Sequence, residues 1–81
     1  MIPRVEEAVY LRDYMIRVRF SDGTTGEVDL RHDLYGDIFE PLKNLSFFRQ
    51  FTVNSEIHTI TWPNGADFAP EFLYERAQGS A

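Results

Sequence analysis

The sequence predicts an α+β domain: an antiparallel β-meander with short helices packed on one face and a C-terminal helix. Apolar and polar residues alternate through residues 4–30, with turn residues between the runs, which is typical of consecutive strands. Apolar residues then recur every three to four positions, the spacing of helices. Hydrophobic residues make up 43% of the 81 residues and aromatic residues 15%, which is sufficient for a core.

The first strand is predicted over residues 5–11, with alternate side chains on opposite faces. One face carries Val5, Glu7, Val9 and Leu11. A tight turn at Arg12 and Asp13 then places Val9 opposite Ile16 of the second strand.

The second and third strands form a hairpin whose register follows from its loop. Residues 21–23 make a three-residue loop, with glycine where a left-handed conformation is needed. This loop sets Val18 opposite Gly26 and Ile16 opposite Val28. The outer face then carries opposite charges at cross-strand positions, Glu6 with Arg19 and Arg17 with Glu27.

The middle of the chain is predicted to form short helices. Their apolar face consists of Leu34, Ile38, Leu42 and Leu45. Pro41 ends or kinks the first helix, and Asn44 or Ser46 is suited to cap the next one. Phe48 and Phe51 then pack their rings on the sheet.

Residues 57–62 are rich in β-branched residues and predict a later strand with Ile60 and Trp62 on one face. We expect this strand to pair beside the meander and complete a four-stranded sheet. The first strand begins after Pro3, which is typical of a protected sheet edge. The other edge, at residues 25–30, is less protected unless the later strand covers it.

The C-terminal helix begins at Pro70, which is tolerated at the first helical position. Leu73 and Ala77 lie on the side that packs against the core. Residues 4–77 are predicted to form a single domain and residues 78–81 a flexible tail.

The negative charge is concentrated in one segment. The chain has 13 acidic and 8 basic residues, a formal net charge of −5. Six of the acidic residues lie between Phe20 and Glu40, where Arg31 is the one basic residue. A solvated acidic edge accounts for this segment, and the alternative interpretation is an acidic patch for a small basic protein partner. The candidate partner surface consists of Glu27, Asp29, Asp33, Asp37 and Glu40.

No catalytic residue, metal site or cofactor is predicted. The absence of cysteine excludes disulfides and thiolate chemistry. His32, Asp33 and Asp37 have a hint of metal spacing, but a zinc site normally uses three or four closed ligands. The net acidity argues against direct nucleic-acid binding. Neither a membrane-spanning run nor a signal-peptide pattern is visible, so we expect a cytoplasmic protein.

Residues 59–74 combine a strand, a tight turn and a helix start. The candidate binding loop within them consists of Trp62, Pro63, Asn64, Gly65 and Asp67. Pro63 pre-sets the turn, and Asn64 and Gly65 accept unusual backbone angles. Asp67 is placed to accept amide hydrogens near the helix entrance. These features suffice to explain a structural corner, and an exposed binding loop is the alternative interpretation.

The run WPNGADFAPEFLY, residues 62–74, resembles the signature of the domain of unknown function 2442 (DUF2442) family of small bacterial proteins. Further matching segments are Thr59-Ile60, Asp29-Leu30, Gly36-x-Ile38-Phe39-x-Pro41-Leu42 and Phe48-x-x-Phe51. The resemblance covers about residues 4–77. It is looser at residues 56–58, where relatives often carry a small residue such as glycine. It implies an α+β fold with a meander followed by short helices, and it implies no known activity.

Some relatives in this family are fused to a helix-turn-helix domain, and some are encoded in pairs resembling toxin–antitoxin operons. The acidic segment 20–40 and the absence of a catalytic constellation make a protein-interaction or regulatory module, as the acidic member of such a pair, the leading hypothesis. The alternative is a small-ligand-binding or enzymatic domain that uses the Trp62–Asp67 loop. Because like-charged sheet edges repel each other, we expect a monomer or a weak homodimer.

Overall fold

A three-stranded meander and a separate two-stranded hairpin form the β part of the structure, a computed structural model that describes residues 3–79. The meander consists of β1 (Val5–Arg12), β2 (Met15–Phe20) and β3 (Thr25–Asp29), which pair antiparallel in that order. The hairpin consists of β4 (Thr52–Asn54) and β5 (Thr59–Thr61). The predicted α+β class, with its antiparallel meander, is confirmed.

Two 3₁₀ turns and two helices complete the fold. The 3₁₀ turns span Arg31–Asp33 and Glu40–Lys43, helix α1 spans Leu45–Phe48 and helix α2 spans Pro70–Gly79. Leu73 and Ala77 of α2 are buried, as the spacing predicts. Helix α2 includes the first two residues of the predicted tail, and Ser80 and Ala81 lie outside the described residues.

The register of the β2–β3 hairpin is confirmed. Ile16 pairs with Val28 and Val18 pairs with Gly26, as the three-residue loop requires. Gly23 in that loop has φ 89°, the left-handed region that glycine adopts without steric cost. The inward-facing residues of β2 are completely buried: Ile16, Val18 and Phe20.

The predicted register of β1 is wrong because the strand contains a bulge. Val5 pairs with Phe20 and Glu7 with Arg19, so that Glu6 is an extra residue. One extra residue reverses the alternation of side chains beyond it. Val9 consequently lies opposite Arg17 and not Ile16, with 47% of its surface exposed.

Ala8 and Tyr10 take the core side in its place, and Tyr10 pairs with Ile16. The turn that follows is formed by Asp13 and Tyr14, one residue later than predicted. Asp13 adopts φ 46°, which an aspartate tolerates better than a branched residue does.

The later strand does not complete a four-stranded sheet. Strand β5 pairs with β4 in a sheet of its own. One backbone hydrogen bond, from Val5 N–H to His58 O at 3.0 Å, joins this hairpin to the β1 side of the meander. The β3 edge is therefore not covered by the hairpin. His58 itself adopts φ 58°, in the left-handed region that residues with a Cβ rarely adopt.

The short helices predicted for the middle segment are present, but the four apolar residues at helical spacing do not share one buried face. Leu34 and Leu42 are buried, but Ile38 is 46% exposed and Leu45 is 41% exposed. Gly36 has φ 93°, which interrupts the helical conformation before Pro41 is reached. The predicted cap is confirmed in α1, where Asn44 Oδ1 accepts from the amides of Ser46 and Phe47 at 2.9 and 3.4 Å.

Helix α2 lies directly on β3 at Gly26. A Cβ atom added to Gly26 would lie 2.5 Å from the carbonyl oxygen of Ala77 and 2.8 Å from its Cβ. Only a residue without a side chain allows the helix and the strand to approach this closely. Aromatic contacts extend the packing, because the rings of Phe20 and Tyr74 meet edge-to-face at 5.0 Å.

We predict that Gly26→Ala destabilises the protein by about 1–3 kcal/mol, because the added methyl group meets backbone and has to displace α2. Urea unfolding gives the free energy of unfolding. Gly79→Ala is the matched control, since nothing lies within 4 Å of a Cβ added there. The control is expected to be neutral or up to about 1 kcal/mol more stable, as alanine replaces glycine in a helix. Equal stabilities of the two variants would contradict the close packing.

A second prediction concerns His58. The variants His58→Gly and His58→Ala both remove the imidazole and differ from each other by the Cβ atom. Since φ 58° is strained for a residue with a Cβ, we expect the glycine variant to be about 1 kcal/mol more stable than the alanine variant. Thermal or urea unfolding measures the difference. If the alanine variant proves the more stable of the two, the left-handed conformation at this position is wrong.

Candidate functional site

Trp62, the first residue of the candidate binding loop, is part of the core. Only 3% of its surface is exposed, and its indole N–H donates to the carbonyl oxygen of Phe48 at 2.8 Å. Its ring packs against Phe48, Phe51 and Phe68, with centroid distances of 5.8, 6.1 and 5.8 Å. The side chain is therefore an anchor of the turn and offers little surface to a ligand.

The turn after Trp62 is held by its own hydrogen bonds. The Trp62 amide donates to Ala66 O and the Gly65 amide donates to Trp62 O, both at 2.9 Å. Asn64 Nδ2 donates to the carbonyl oxygen of Ile38 at 2.8 Å, and Asn64 Oδ1 accepts from the Ala66 amide at 3.1 Å. Both the nitrogen and the oxygen of the Asn64 side-chain amide thus form hydrogen bonds that stabilise the turn. Gly65 adopts φ 90° in the same turn.

Pro63, Asn64, Gly65 and Asp67 are the exposed members of the candidate loop. The backbone of Asp67 bridges to Thr61, which places it beside the end of β5. Among residues 3–79, the Asp67 carboxylate has neither a hydrogen-bond nor an ion-pair partner, and it caps no amide of α2. Asp67 is the one charged group that the loop offers to a ligand.

Three carboxylates of the candidate acidic surface form ion pairs within the chain. Glu27 lies 3.6 Å from Arg17, Glu40 lies 2.9 Å from Lys43, and Asp33 contacts Arg76. The first two pairs are largely exposed, so each contributes about 0–1 kcal/mol and leaves both charges in contact with solvent.

The remaining two carboxylates of this surface, Asp29 and Asp37, have no ion-pair partner among the described residues. Asp29 Oδ1 accepts a hydrogen bond from the Arg31 amide at 2.9 Å. Both side chains are exposed, so their charges remain available to a partner.

Arg76 connects α2 to the end of β3 and to the first 3₁₀ turn. Its guanidinium donates two hydrogen bonds to Asp33, at 2.8 and 3.1 Å, and a third to the carbonyl oxygen of Asp29 at 3.0 Å. It also lies over the ring of Phe72, 4.8 Å from the centroid. The hydrogen bonds to Asp33 raise the pKa of Arg76, so this cation is firmly charged and already paired.

Asp22 belongs to the same acidic segment, and its carboxylate is hydrogen-bonded within the protein. The Tyr74 hydroxyl donates to its carboxylate at 2.6 Å, and the Thr24 amide donates at 2.9 Å. These two hydrogen bonds, with that of Tyr74 the stronger cause, lower the pKa of Asp22 below its usual range. This contact ties the β2–β3 loop to α2.

A groove of about 570 Å³ lies between the β3 edge and α2. From the strands and the first 3₁₀ turn it is lined by Met15, Glu27, Asp29 and His32, and from α2 by Phe72, Glu75, Arg76 and Gly79. Two members of the candidate acidic surface, Glu27 and Asp29, therefore meet Glu75 across the groove. Among these eight residues the one arginine, Arg76, is paired with Asp33.

Sequence reasoning missed Glu75 and Arg76 as residues of this surface. Arg76 is 43 residues away from its partner Asp33, and no pattern along the chain links them.

Within residues 3–79, no three His, Asp or Glu side chains come together in an arrangement suited to a metal ion. No helix in this part of the chain is long and apolar enough to cross a membrane.

These features define a small α+β protein with an acidic groove between a sheet edge and a C-terminal helix. Residues 5–79 match a family described as protein of unknown function, DUF2442, and the chain belongs to that family. The resemblance inferred from the sequence is confirmed over nearly its whole extent. No curated protein and no solved structure matches the chain.

We predict stability effects of different size for the two polar side chains of the 62–67 turn. Asn64→Ala removes hydrogen bonds to Ile38 and Ala66 and is expected to cost about 1–2 kcal/mol. Asp67→Ala removes an exposed carboxylate with no partner among the described residues and is expected to change stability by less than about 0.5 kcal/mol. Urea unfolding of both variants measures the difference. A costly Asp67→Ala would show that this carboxylate holds the corner together.

Proposed function

We propose that this protein is an interaction module that binds a basic partner protein through its acidic surface. The surface consists of Glu27, Asp29, Asp33, Asp37 and Glu40. The observation that carries the proposal is the groove beside β3, where Glu27 and Asp29 meet Glu75 and the one arginine is already paired. A concentration of unbalanced negative charge at a concave site attracts a basic partner.

The distribution of charge supports the same conclusion. The segment 20–40 accounts for the whole formal net charge of −5, while the rest of the chain is balanced. A single-sign surface of this kind increases the association rate with an oppositely charged partner by about 10- to 1,000-fold at low salt. The same charge disfavours phosphate backbones, so the proposal does not include direct nucleic-acid binding.

Within this role, we place the protein in the bacterial cytoplasm as the acidic, antitoxin-like member of a two-gene pair, acting as a monomer or a weak homodimer. The alternative site is the Trp62–Asp67 loop, as a small-ligand or enzymatic site. In that loop Trp62 and Asn64 are engaged in the fold, which leaves Asp67 as its one free charged group. The acidic groove offers more unbalanced charge, and we therefore favour it.

The proposal is tested by affinity capture from native cell extract with the wild-type protein and two matched triple variants. Glu27→Gln, Asp29→Asn and Glu75→Gln together neutralise the groove. Neutralising Glu7, Asp13 and Glu56 in the same way removes as much charge elsewhere. The Asp29→Asn change keeps the oxygen that accepts from Arg31.

We expect the wild type and the control variant to recover the same basic protein. The groove variant should bind that protein about tenfold more weakly or worse, a loss of about 1.4 kcal/mol. Association should also slow steeply as salt rises, because exposed charges are screened beyond about 8 Å at physiological ionic strength. Recovery of no protein, or equal binding by all three forms, overturns the proposed function. Thermal unfolding confirms that each variant is folded.

A further inference from the structure

Strand β3 has an open edge. The amides of Phe20 and Leu30 donate to the carbonyl oxygens of Thr24 and Tyr14, so these are hydrogen-bonded pairs of the β2–β3 ladder. The pairs Val18–Gly26 and Ile16–Val28 lie between them at two-residue intervals and are therefore hydrogen-bonded pairs as well. In an antiparallel ladder the residues between these pairs direct their backbone groups to the opposite side. The N–H and C=O groups of Thr25 and Glu27 therefore point away from β2, and no other hydrogen bond holds them within residues 3–79.

The surroundings of this edge leave space for another strand. The β4–β5 hairpin lies on the β1 side of the meander, at the opposite edge. The groove of about 570 Å³ runs between β3 and α2. The unpaired stretch of β3 ends at Asp29, because the carbonyl oxygen of Asp29 already accepts a hydrogen bond from the guanidinium of Arg76. Two consecutive outward-pointing residues, Thr25 and Glu27, remain for pairing.

We infer that the β3 edge accepts an extended basic segment of the partner as an added strand. This inference rests on the proposed function and specifies how the partner binds. Side chains on the outer face of such a strand lie beside Glu27 and Asp29, and those on the inner face lie beside Phe72 and Gly79 of α2. Alternation of side chains along a strand then selects a segment in which lysine or arginine alternates with apolar residues.

A second copy of this chain fits the edge poorly. Antiparallel pairing of two β3 strands about their centre would place Glu27 directly opposite the Glu27 of the other copy. Like charges at directly opposed positions destabilise a strand pair. Charge complementarity therefore assigns the edge to a basic segment.

The probe is a blocked hexapeptide of alternating lysine and valine, and the control is the same hexapeptide with the backbone nitrogen of every residue methylated. The two carry the same charge, but the control lacks the N–H groups that a strand donates. Both peptides are titrated into the wild type, Thr25→Pro and Glu27→Gln. Thr25→Pro removes an outward-pointing N–H at the first residue of the strand and leaves every charge in place. Amide hydrogen exchange of the wild type is also measured with and without peptide. This measurement does not depend on whether Thr25→Pro folds.

The lysine–valine peptide is expected to bind the wild type at least about tenfold more tightly than the N-methylated control, and Thr25→Pro is expected to bind it about tenfold more weakly than the wild type does. Glu27→Gln should weaken both peptides. In the wild type, bound peptide should slow exchange of the Thr25 and Glu27 amides about tenfold or more and leave the exposed Ser55 amide unchanged.

Equal binding of the two peptides with no protection of the Thr25 and Glu27 amides overturns strand addition and leaves the charge-based function intact. Failure of the lysine–valine peptide to bind also overturns strand addition, while the capture experiment decides the proposed function separately. A wild-type dimer that becomes monomeric in Thr25→Pro would show that a second copy occupies the edge, which overturns the assignment to a basic partner.

Discussion

The hydrogen bond from the Trp62 indole to the Phe48 carbonyl is the interaction on which much of the structure depends. It joins the turn after β5 to the end of α1, two short elements with little stability of their own. Burying an indole N–H without an acceptor costs about 1–3 kcal/mol, so the tryptophan and α1 require each other. The ring then contacts Phe51 and Phe68, which extends the aromatic packing. This is the physical reason that most of the 62–67 turn serves the fold.

A second constraint places α2 and thereby creates the groove. The absence of a side chain at Gly26 lets Ala77 lie against β3, and Arg76 then reaches both Asp33 and the Asp29 carbonyl. The positive charge of Arg76 is therefore paired with Asp33 within the protein. This arrangement also brings Glu75 to the same groove as Glu27, so the negative charge of the segment 20–40 is enlarged by a residue from the far end of the chain.

Local rules predicted the elements whose geometry is set by nearby residues. The three-residue loop determined the β2–β3 register, and Asn44 capped α1 through its own side chain. The β1 register failed because a bulge at Glu6 has no marker in the alternation of residues. The middle segment has the predicted short helices, but Gly36 interrupts the helical conformation, so the apolar spacing does not give one buried face. For the candidate site, Glu27 and Asp29 were predicted, whereas Glu75 and Arg76 were not.

The sequence by itself determined the α+β class, the family, the acidic segment and the hairpin between β2 and β3, because each depends on composition or on residues close together in the chain. The tertiary structure decided which carboxylates are paired, which sheet edge stays open and where the groove lies. Those properties depend on contacts such as Arg76 with Asp33, across 43 residues. Periodicity along a chain carries information about one element and its neighbours, and not about which distant elements come to lie side by side.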